Sequence, residues 1–557
     1  MTKKITDLTE VTQTEDGDLL LIRDATDGVD KKMQAQNLRA KATTKADVGL
    51  ADVPDLDTTD AVNKAHDQNT DTALDQGGAN EVTAADARAH IDSTANPHGV
   101  TKSQVGLGDV DNVSAADLRD RSTHTGTQAA TTVTYDNLSS GLSASDVKAA
   151  LDELADLSQG IASFTYNSNT VSPASESATG GIPAPVFENL YSKIKGCTLL
   201  DNGSVNYYLN GSDWSLKEGG GSSDLTGTDG QVMVEIPAFY YRVTRNGSET
   251  TWQISYLPLS GFSLHPAFIV DGVEVSHRYY SAYDACVYDD SASAYISGTN
   301  NTDNSGNVDT GADLLASVKG IYPMVGLTRN EFRLLAANRG SRWRQVDFPL
   351  WCAVGMLYVV EYQTFYNQDE LGDGNTNGGY VGSSSNQNDS PHTIAGAGDS
   401  WGNGSTDGTQ PSAGAKPGTA YMKYRGIENQ FGNCWNSADA INVNVSGTGN
   451  VHIANDNARA NYADDTTTDY TLATSSLTTG SDNIQRFLPV DPYFLAESVG
   501  GSSAQYITDR HYGSSSSNRV FSVGGNADSG GNAGVFTARA SVGSGFRNRR
   551  FGGRLAY

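Results

Sequence analysis

The arginines at the C-terminal end are the side chains with the clearest chemical potential. Residues 513–557 carry six arginines and one acid, Asp528, although the whole chain has a formal net charge of −27. Guanidinium groups hold carboxylates and phosphates in bidentate fashion, so a basic end on an acidic protein predicts contact with something anionic. The alternative is that the arginines pack on aromatic rings or pair with acids elsewhere. They are Arg519, Arg539, Arg547, Arg549, Arg550 and Arg554.

Three loops rich in Gly, Ser and Asn lie among these arginines, at residues 512–518, 526–532 and 544–550. Gly and Ser give adaptable backbone, Asn offers donors and acceptors, and aromatic and Arg side chains carry most binding energy at interfaces. The alternative is that the loops only connect strands and their arginines brace a sheet or a subunit interface. The predicted binding residues are Tyr512, Ser514, Ser516, Asn518, Asn526, Asp528, Asn532, Phe546, Arg547, Asn548 and Arg549.

Catalytic and metal-binding candidates are weaker. Glu361 falls inside an apolar run without a second acid beside it, so we expect a structural acid that accepts hydrogen bonds from backbone or Arg. His98 and His124 could bind a metal if three chains each brought one to an axis, or else hydrogen-bond within turns. No catalytic residue, metal or cofactor is predicted. The four cysteines lack CxxC spacing and are expected to be buried free thiols: Cys197, Cys286, Cys352 and Cys434.

The elements that position these side chains are predicted to be mainly short strands. The chain has 557 residues, 37% of them hydrophobic, and 60 glycines, which favours several domains with many strands and loops. Residues 520–523 read as one strand, and residues 533–540 as another that carries Val535 and Phe536. The chain end should be tied into a sheet. The predicted core residues are Val523, Val535 and Leu555.

Two helices are predicted in the same part of the chain. Thr328 caps the first, with Glu331 at the capping-box position. The second is expected from about residue 349 to 365, apolar on most sides and therefore buried. No apolar run is long enough to span a bilayer, the first ten residues lack the apolar core of a secretion signal, and the net charge argues against nucleic-acid binding.

The N-terminal third repeats itself, because residues 48–54 return as residues 105–111. Both copies are too poor in apolar residues to close a core alone, so we expect them to pair with copies on other chains. Residues 1–45 read as a small separate unit, with a strand at residues 19–22, that could attach the chain to another protein.

A helix with a narrow apolar seam is predicted after Ser143, an N-cap residue with Asp146 three positions on. Such a short helix is not stable alone in water, so its partners are expected to be the same helix from sister chains. The seam residues are Val147, Leu151, Leu154 and Ile161.

Three segments resemble repeats in the tail fibres of tailed bacteriophages: residues 96–112 (NPHGVTKSQVGLGDVDN), 122–128 (STHTGTQ) and 136–154 (DNLSSGLSASDVKAALDEL). In that family such segments build slender homotrimeric shafts. The resemblance covers residues 5–157 and implies a homotrimer whose N-terminal end meets phage tail or baseplate proteins.

The rest of the chain resembles the C-type lectin fold, in the branch that contains the formylglycine-generating enzyme and phage receptor-binding proteins diversified by reverse transcription. The family's Gly-Asn-x-Trp element matches residues 432–435, and its Gly-Gly element matches residues 524–525. Its final Gly-Phe-Arg strand is approximated by residues 545–547 or 553–555. The upstream sequences IPAFYYRV, GFSLHPAF and RGSRWRQVDFPLW resemble the same phage heads.

Two departures limit what this resemblance implies. The enzyme branch has a reactive cysteine pair near the Gly-Gly element, whereas residues 501–557 contain no cysteine, which argues against that chemistry. Calcium-dependent lectins carry Glu-Pro-Asn or Trp-Asn-Asp triplets. Residues 435–437 read Trp-Asn-Ser, without the acid, which argues against calcium-mediated sugar binding.

The predicted fold is multidomain, with an elongated trimeric fibre shaft of short β and coiled-coil segments followed by an α+β C-type lectin-like head. The predicted domains are an attachment module (1–45), a repetitive shaft (46–132), a trimeric coiled coil (133–165), a linker (166–185) and the head (186–557).

The resemblances imply a phage tail-fibre adhesin, located in the virion, whose terminal loops bind a bacterial surface glycan or outer-membrane protein. Two alternatives stay open. One is a tailspike-type enzyme that degrades surface polysaccharide with paired Asp or Glu residues. The other is a structural tail or baseplate protein whose head contacts neighbouring virion proteins.

Overall fold

The computed structural model describes residues 19–23, 30–34, 83–93, 131, 134, 146–168, 182–296, 304–378, 392–409, 420–501 and 507–557. The chain divides into two units, residues 1–126 and residues 127–557. The described part is predominantly β-sheet with few helices. The predicted lectin-like fold of the head stays a prediction.

The first unit contains an antiparallel pair, β1 (Leu19–Arg23) and β2 (Asp30–Gln34), and helix α1 (Ala84–Ile91). The strand predicted at residues 19–22 is therefore confirmed. A capping box between Thr83 and Asp86 starts α1. Several predictions lie outside the described residues: the repeats at residues 48–54 and 105–111, both histidines and the cap at Ser143.

The second unit begins with helix α2 (Val147–Gln159), and its helices then follow as α3 (Ala184–Asn189), α4 (Arg329–Asn338), α5 (Phe348–Tyr362) and α6 (Asn367–Leu371). Its first strands are β3 (Ile161–Asn167), β4 (Lys195–Leu199), β5 (Val205–Tyr208), β6 (Gln231–Pro237), β7 (Tyr240–Asn246), β8 (Glu249–Ser255), β9 (Ser263–Leu264), β10 (Ile269–Val270), β11 (Val273–Glu274), β12 (His277–Ser281), β13 (Cys286–Asp289), β14 (Ala294–Tyr295), β15 (Leu314–Ala316) and β16 (Arg344–Gln345).

The later strands are β17 (Thr406–Thr409), β18 (Ala420–Tyr424), β19 (Ile427–Glu428), β20 (Trp435–Val443), β21 (Val451–Ala454), β22 (Tyr470–Thr474), β23 (Ser481–Phe487), β24 (Ala496–Gly501), β25 (Arg510–Tyr512), β26 (Arg519–Val523), β27 (Ala538–Val542), β28 (Phe551–Gly552) and β29 (Leu555–Ala556). The largest sheet has the order β22-β21-β20-β26-β27-β25-β23-β24, with β28 beside β20. A second sheet has the order β16-β29-β12-β6-β4-β5, and a third has the order β3-β8-β7-β9.

Helix α5 forms the centre of the main core. Asp347 caps it by accepting from the Leu350 N–H at 2.9 Å, and Pro349 occupies its first turn. Nearly every α5 side chain is buried, packed with apolar residues of strands β6, β8, β20, β26 and β27. A helix apolar on all sides has to be surrounded in this way. Asp347 is itself buried and pairs with Arg278 at 2.8 Å.

Other local predictions are confirmed. Thr328 and Glu331 form the capping box of α4. Val523, Val535 and Leu555 are each at most 2% exposed. The chain end is tied into a sheet, because β29 pairs with β12 and β16. The four cysteines are free and buried.

Two predictions about element boundaries are wrong. Ile161 does not belong to the helical seam, because α2 ends at Gln159 and Ile161 begins β3, which pairs with β8 along its whole length. The head's sheets therefore begin within the segment assigned to the coiled coil. Val535 and Phe536 are buried, but they precede β27 instead of lying in it. Val535 and Phe536 thus pack in the core without being part of a strand.

Candidate functional site

The candidate binding site lies on the largest sheet. Trp435 begins β20, Tyr512 ends β25, Arg539 lies in β27 and Phe551 begins β28. The sheet order places β25 beside β27, β27 beside β26, and β26 beside β20, which also pairs with β28. Segments far apart in sequence thus meet on neighbouring strands.

A row of directly paired residues crosses five strands of this sheet. Paired residues on adjacent strands project from the same face, and neighbours along a strand alternate between faces. Phe521, Val523 and Ala538 belong to the main core, so the row that alternates with them lies on the opposite, outer face. The row consists of Ser437, Ser522, Arg539, Tyr512 and Ser481.

Aromatic rings surround Arg539 on this outer face. Trp435 and Phe551 are stacked with ring centres 6.2 Å apart, and Tyr512 meets Trp435 edge-on at 5.6 Å. Phe546 packs edge-on against Phe551 at 5.1 Å. Trp435 and Phe551 are buried, whereas Phe546 is 39% exposed. We call these five residues the terminal face.

The Arg539 guanidinium lies over rings and not beside an acid. Its central carbon is 5.8 Å from the ring centre of Trp435 and 5.5 Å from that of Tyr512. The Phe551 ring centre is 5.6 Å away. No carboxylate among the described residues lies within 4.0 Å of its side-chain nitrogens. Burial lowers the pKa of Arg539, Tyr512 raises it, and the charge of Arg550 lowers it further.

Two neighbouring arginines are paired with acids. Arg547 donates to Glu331 Oε1 at 2.9 Å, and Arg550 forms an ion pair with Asp528. The alternative that the sequence left open, pairing with acids elsewhere in the fold, therefore applies to these two arginines. The pair between Arg550 and Asp528 also joins two of the predicted loops, residues 526–532 and 544–550.

Most of the predicted binding residues are accessible. Tyr512, Ser514, Asn532 and Asn548 are partly buried. The remaining accessible residues are exposed: Ser516, Asn518, Asp528, Phe546 and Arg547. Because Tyr512 and Phe546 both belong to the terminal face, the first and third loops meet there.

Asn526 and Arg549 are placed differently from the prediction. Asn526 is 4% exposed, because its side-chain oxygen accepts from Ser529 Oγ at 2.6 Å within a closed turn. Arg549 is 3% exposed and lies near His392. Burial, assisted by the charge of Arg549, lowers the pKa of His392 to about 3. Neither side chain is displayed on the surface.

The loop at residues 512–518 is held by its backbone. Asn444 Nδ2 donates to the carbonyls of Ser514 and Ser516, each at 2.7 Å. Thr448 Oγ1 donates to the carbonyl of Ser515 at 3.3 Å. Within the loop, Ser514 Oγ also accepts from the Ser516 N–H at 3.1 Å, so backbone carbonyls and one serine side chain fix its shape. Asn444 was not among the predicted site residues, and in the sequence only its place directly after a strand could have indicated its role.

The predicted binding residues did not include Arg539 and Trp435, two members of the terminal face. Arg539 stands between small residues in the run Ala-Arg-Ala-Ser-Val at residues 538–542. Alternation marks it as facing away from the core, but its aromatic neighbours come from β20, β25 and β28. No local pattern reveals such a neighbourhood.

Glu361 is a structural acid, as expected. Arg425 Nε donates to its Oε2 at 2.6 Å, and the Tyr424 hydroxyl donates to the same oxygen at 3.0 Å. Arg425 also lies 4.8 Å from the ring centre of Tyr191. These contacts use both carboxylate oxygens of Glu361, as expected of a structural acid.

Within the described ranges, no group of three or more His, Cys, Asp or Glu side chains is arranged to hold a metal ion. No helix in the same ranges is long and apolar enough to cross a membrane. No protein-family model matches the chain. A comparison with curated proteins gives no significant match either.

Proposed function

We propose that the chain is a tail-fibre adhesin of a tailed bacteriophage and binds a bacterial cell-surface receptor through the loops of its C-terminal head. One observation carries this proposal: loops separated in sequence meet around the terminal face, where Tyr512 and Phe546 remain accessible. Accessible aromatic and Arg side chains among short polar residues are typical of binding surfaces.

The proposed adhesin is a homotrimer in the virion, joined to tail or baseplate proteins through its N-terminal end. Leu151 and Leu154 of α2 support the trimer, since they are 59% and 54% exposed in the single chain. Two exposed leucines three positions apart on a helix form an apolar stripe that a sister helix would cover.

We propose an adhesin and not a polysaccharide-cutting enzyme. Such an enzyme needs a pair of carboxyl groups open to the substrate, one of them with a raised pKa. Burial raises the pKa of Glu428 and of Asp509 to about 7. Both are completely buried and accept backbone hydrogen bonds from Gly398 and Phe536, so a glycan cannot reach them.

The proposal is tested by binding the labelled full-length protein to a panel of bacterial strains and by assaying polysaccharide release. An adhesin binds some strains saturably and releases no oligosaccharide. The matched control is Phe187→Ala, because Phe187 is an exposed phenylalanine outside the terminal face, with 44% exposure against 39% for Phe546. Cell binding that survives Phe546→Ala and falls with Phe187→Ala would place the receptor surface elsewhere.

A further inference from the structure

The outer face of β27 carries a cation, Arg539, that has no counterion among the described residues. Arg is charged at every physiological pH, and removing a charge from water costs free energy unless it is paired. Arg539 is partly buried among three rings, and no described carboxylate lies within 4.0 Å of its side-chain nitrogens. Its Nε donates to Ser541 Oγ at 3.0 Å. No described residue accepts a hydrogen bond from its two terminal nitrogens, which therefore keep donor capacity for a ligand.

Two of the most deeply buried arginines are paired with acids. Arg278 meets Asp347 at 2.8 Å, and Arg554 meets Asp284 at 2.9 Å. Both pairs lie in the interior, where an unpaired charge would be costly. Arg539 differs because it lies at an accessible surface, where a ligand could supply the missing negative charge.

A second polar group lies beside Arg539. Ser522 is its direct partner across strands β26 and β27 and shares its face of the sheet. Ser522 is fully buried, and its hydroxyl has no hydrogen-bond partner among the described residues. Buried hydroxyls are normally hydrogen-bonded, so Ser522 leaves unused hydrogen-bonding capacity beside Arg539, although a ligand at the surface does not contact it directly.

We propose that Arg539 binds an anionic oxygen group, a carboxylate or a phosphate, on a sugar of the bacterial surface polysaccharide; this rests on the proposed function. A guanidinium stacked on aromatic rings keeps its edge free for bidentate contact with such groups. A polysaccharide fits this face better than a protein does, because Tyr512 and Phe546 offer flat apolar area and the loops offer hydroxyl and amide groups.

The acidic net charge of the chain restricts where a polyanion can bind. With a formal net charge of −27, the chain as a whole repels polyanions. Binding of a polyanion therefore requires a local positive site. A second guanidinium, Arg510, lies 5.3 Å from the ring centre of Tyr512 and 3.6 Å from its own partner, Asp482. Of the two cations beside Tyr512, Arg510 has a nearby acid, whereas Arg539 has none among the described residues.

The test measures binding of the immobilised full-length protein to polygalacturonate, polyphosphate, polyglutamate and neutral dextran. Arg539→Gln is compared with Arg242→Gln. Arg242 is also partly buried, lies over the Phe262 ring at 4.6 Å and has no carboxylate within 4.0 Å among the described residues. Unchanged melting temperature and mass show that each variant is folded.

We expect the wild type to bind polygalacturonate or polyphosphate but not dextran, and Arg539→Gln to weaken this binding about 10- to 100-fold. Arg242→Gln should leave it unchanged. Tighter binding of polygalacturonate would identify a carboxylate as the group that Arg539 binds, and tighter binding of polyphosphate would identify a phosphate. Equal binding of polyglutamate would overturn the assignment to a sugar. Failure of the wild type to bind polygalacturonate and polyphosphate, or full binding by Arg539→Gln, would overturn the anion site.

Binding to bacterial cells separates this inference from the proposed function. If Phe546→Ala abolishes cell binding while Arg539→Gln leaves it intact, the terminal face binds the receptor without the anion contact. If neither variant affects cell binding, both the anion site and the receptor assignment to this face are wrong.

Discussion

The Arg539 guanidinium lies 5.5 Å from the ring centre of Tyr512, and the two residues are direct partners across the parallel strands β27 and β25. The pairing fixes their relative position, because both backbones belong to the sheet and the core lies on its other face. Tyr512 also contacts Trp435 edge-on. A ring held on two sides by scaffold residues loses little conformational freedom on binding a ligand.

Trimer assembly should depend on the exposed side of α2. Replacing Leu151 and Leu154 with Asp places charges in the proposed seam and should shift the protein from trimer to monomer, because the carboxylates would be desolvated there. The measurement is molar mass by light scattering at micromolar concentration. Leu472→Asp is the control, since Leu472 is 48% exposed in β22. A wild type that is already monomeric would contradict the trimer.

The Glu361–Arg425 pair should be important for stability. Both side chains are 15% exposed, so Glu361→Gln leaves the Arg425 guanidinium largely buried without its acid. We expect the free energy of unfolding to fall by about 2–4 kcal/mol in denaturant titrations. The control is Glu497→Gln, because Glu497 lies 3.6 Å from Arg486 with both side chains more than a third exposed. Surface pairs of this kind contribute ~0–1 kcal/mol. Equal effects in the two variants would contradict a structural role of Glu361.

Local features of the head could be predicted from sequence, whereas its long-range packing could not. The Thr328–Glu331 capping box is a contact between residues three apart, so its pattern is visible in the chain. Arg539 acquires its surroundings from three strands distant in sequence. Asn526 resembles an exposed loop residue, yet Ser529 and the packing around it bury the side chain. The Ile161 error has the same cause, because the register of β3 with β8 decides its place.

Stability should also depend on pH through Asp509. Burial raises its pKa from 3.8 to about 7, so the folded state holds a proton there that the unfolded state has released. Between about pH 4 and pH 7 this group makes the folded state less stable as pH rises, at most ~1.4 kcal/mol per pH unit. Asp509→Asn should remove this contribution, as measured by unfolding at several pH values. Asp482→Asn, at a side chain 46% exposed, is the control, and an identical pH profile in wild type and Asp509→Asn would contradict the expectation.

Receptor binding should persist without calcium. The Trp-Asn-Ser sequence at residues 435–437 lacks the acid of calcium-binding lectins, and Asn436 is buried in β20. We expect cell binding to be unchanged after treatment with a calcium chelator. Loss of binding in chelator, reversed by calcium and not by magnesium, would show that a calcium site has been overlooked.

The most direct test of the receptor-binding surface is the apparent Kd of Tyr512→Ala for cells of a strain that the wild type binds. Tyr512 connects the loop at residues 512–518 to Trp435 and Arg539. Removing such an aromatic residue at the centre of an interface should raise the Kd at least ~30-fold, while trimer mass stays unchanged. A wild-type Kd for both Tyr512→Ala and Phe546→Ala, in variants that melt cooperatively and keep the wild-type mass, would contradict a receptor site on the terminal face.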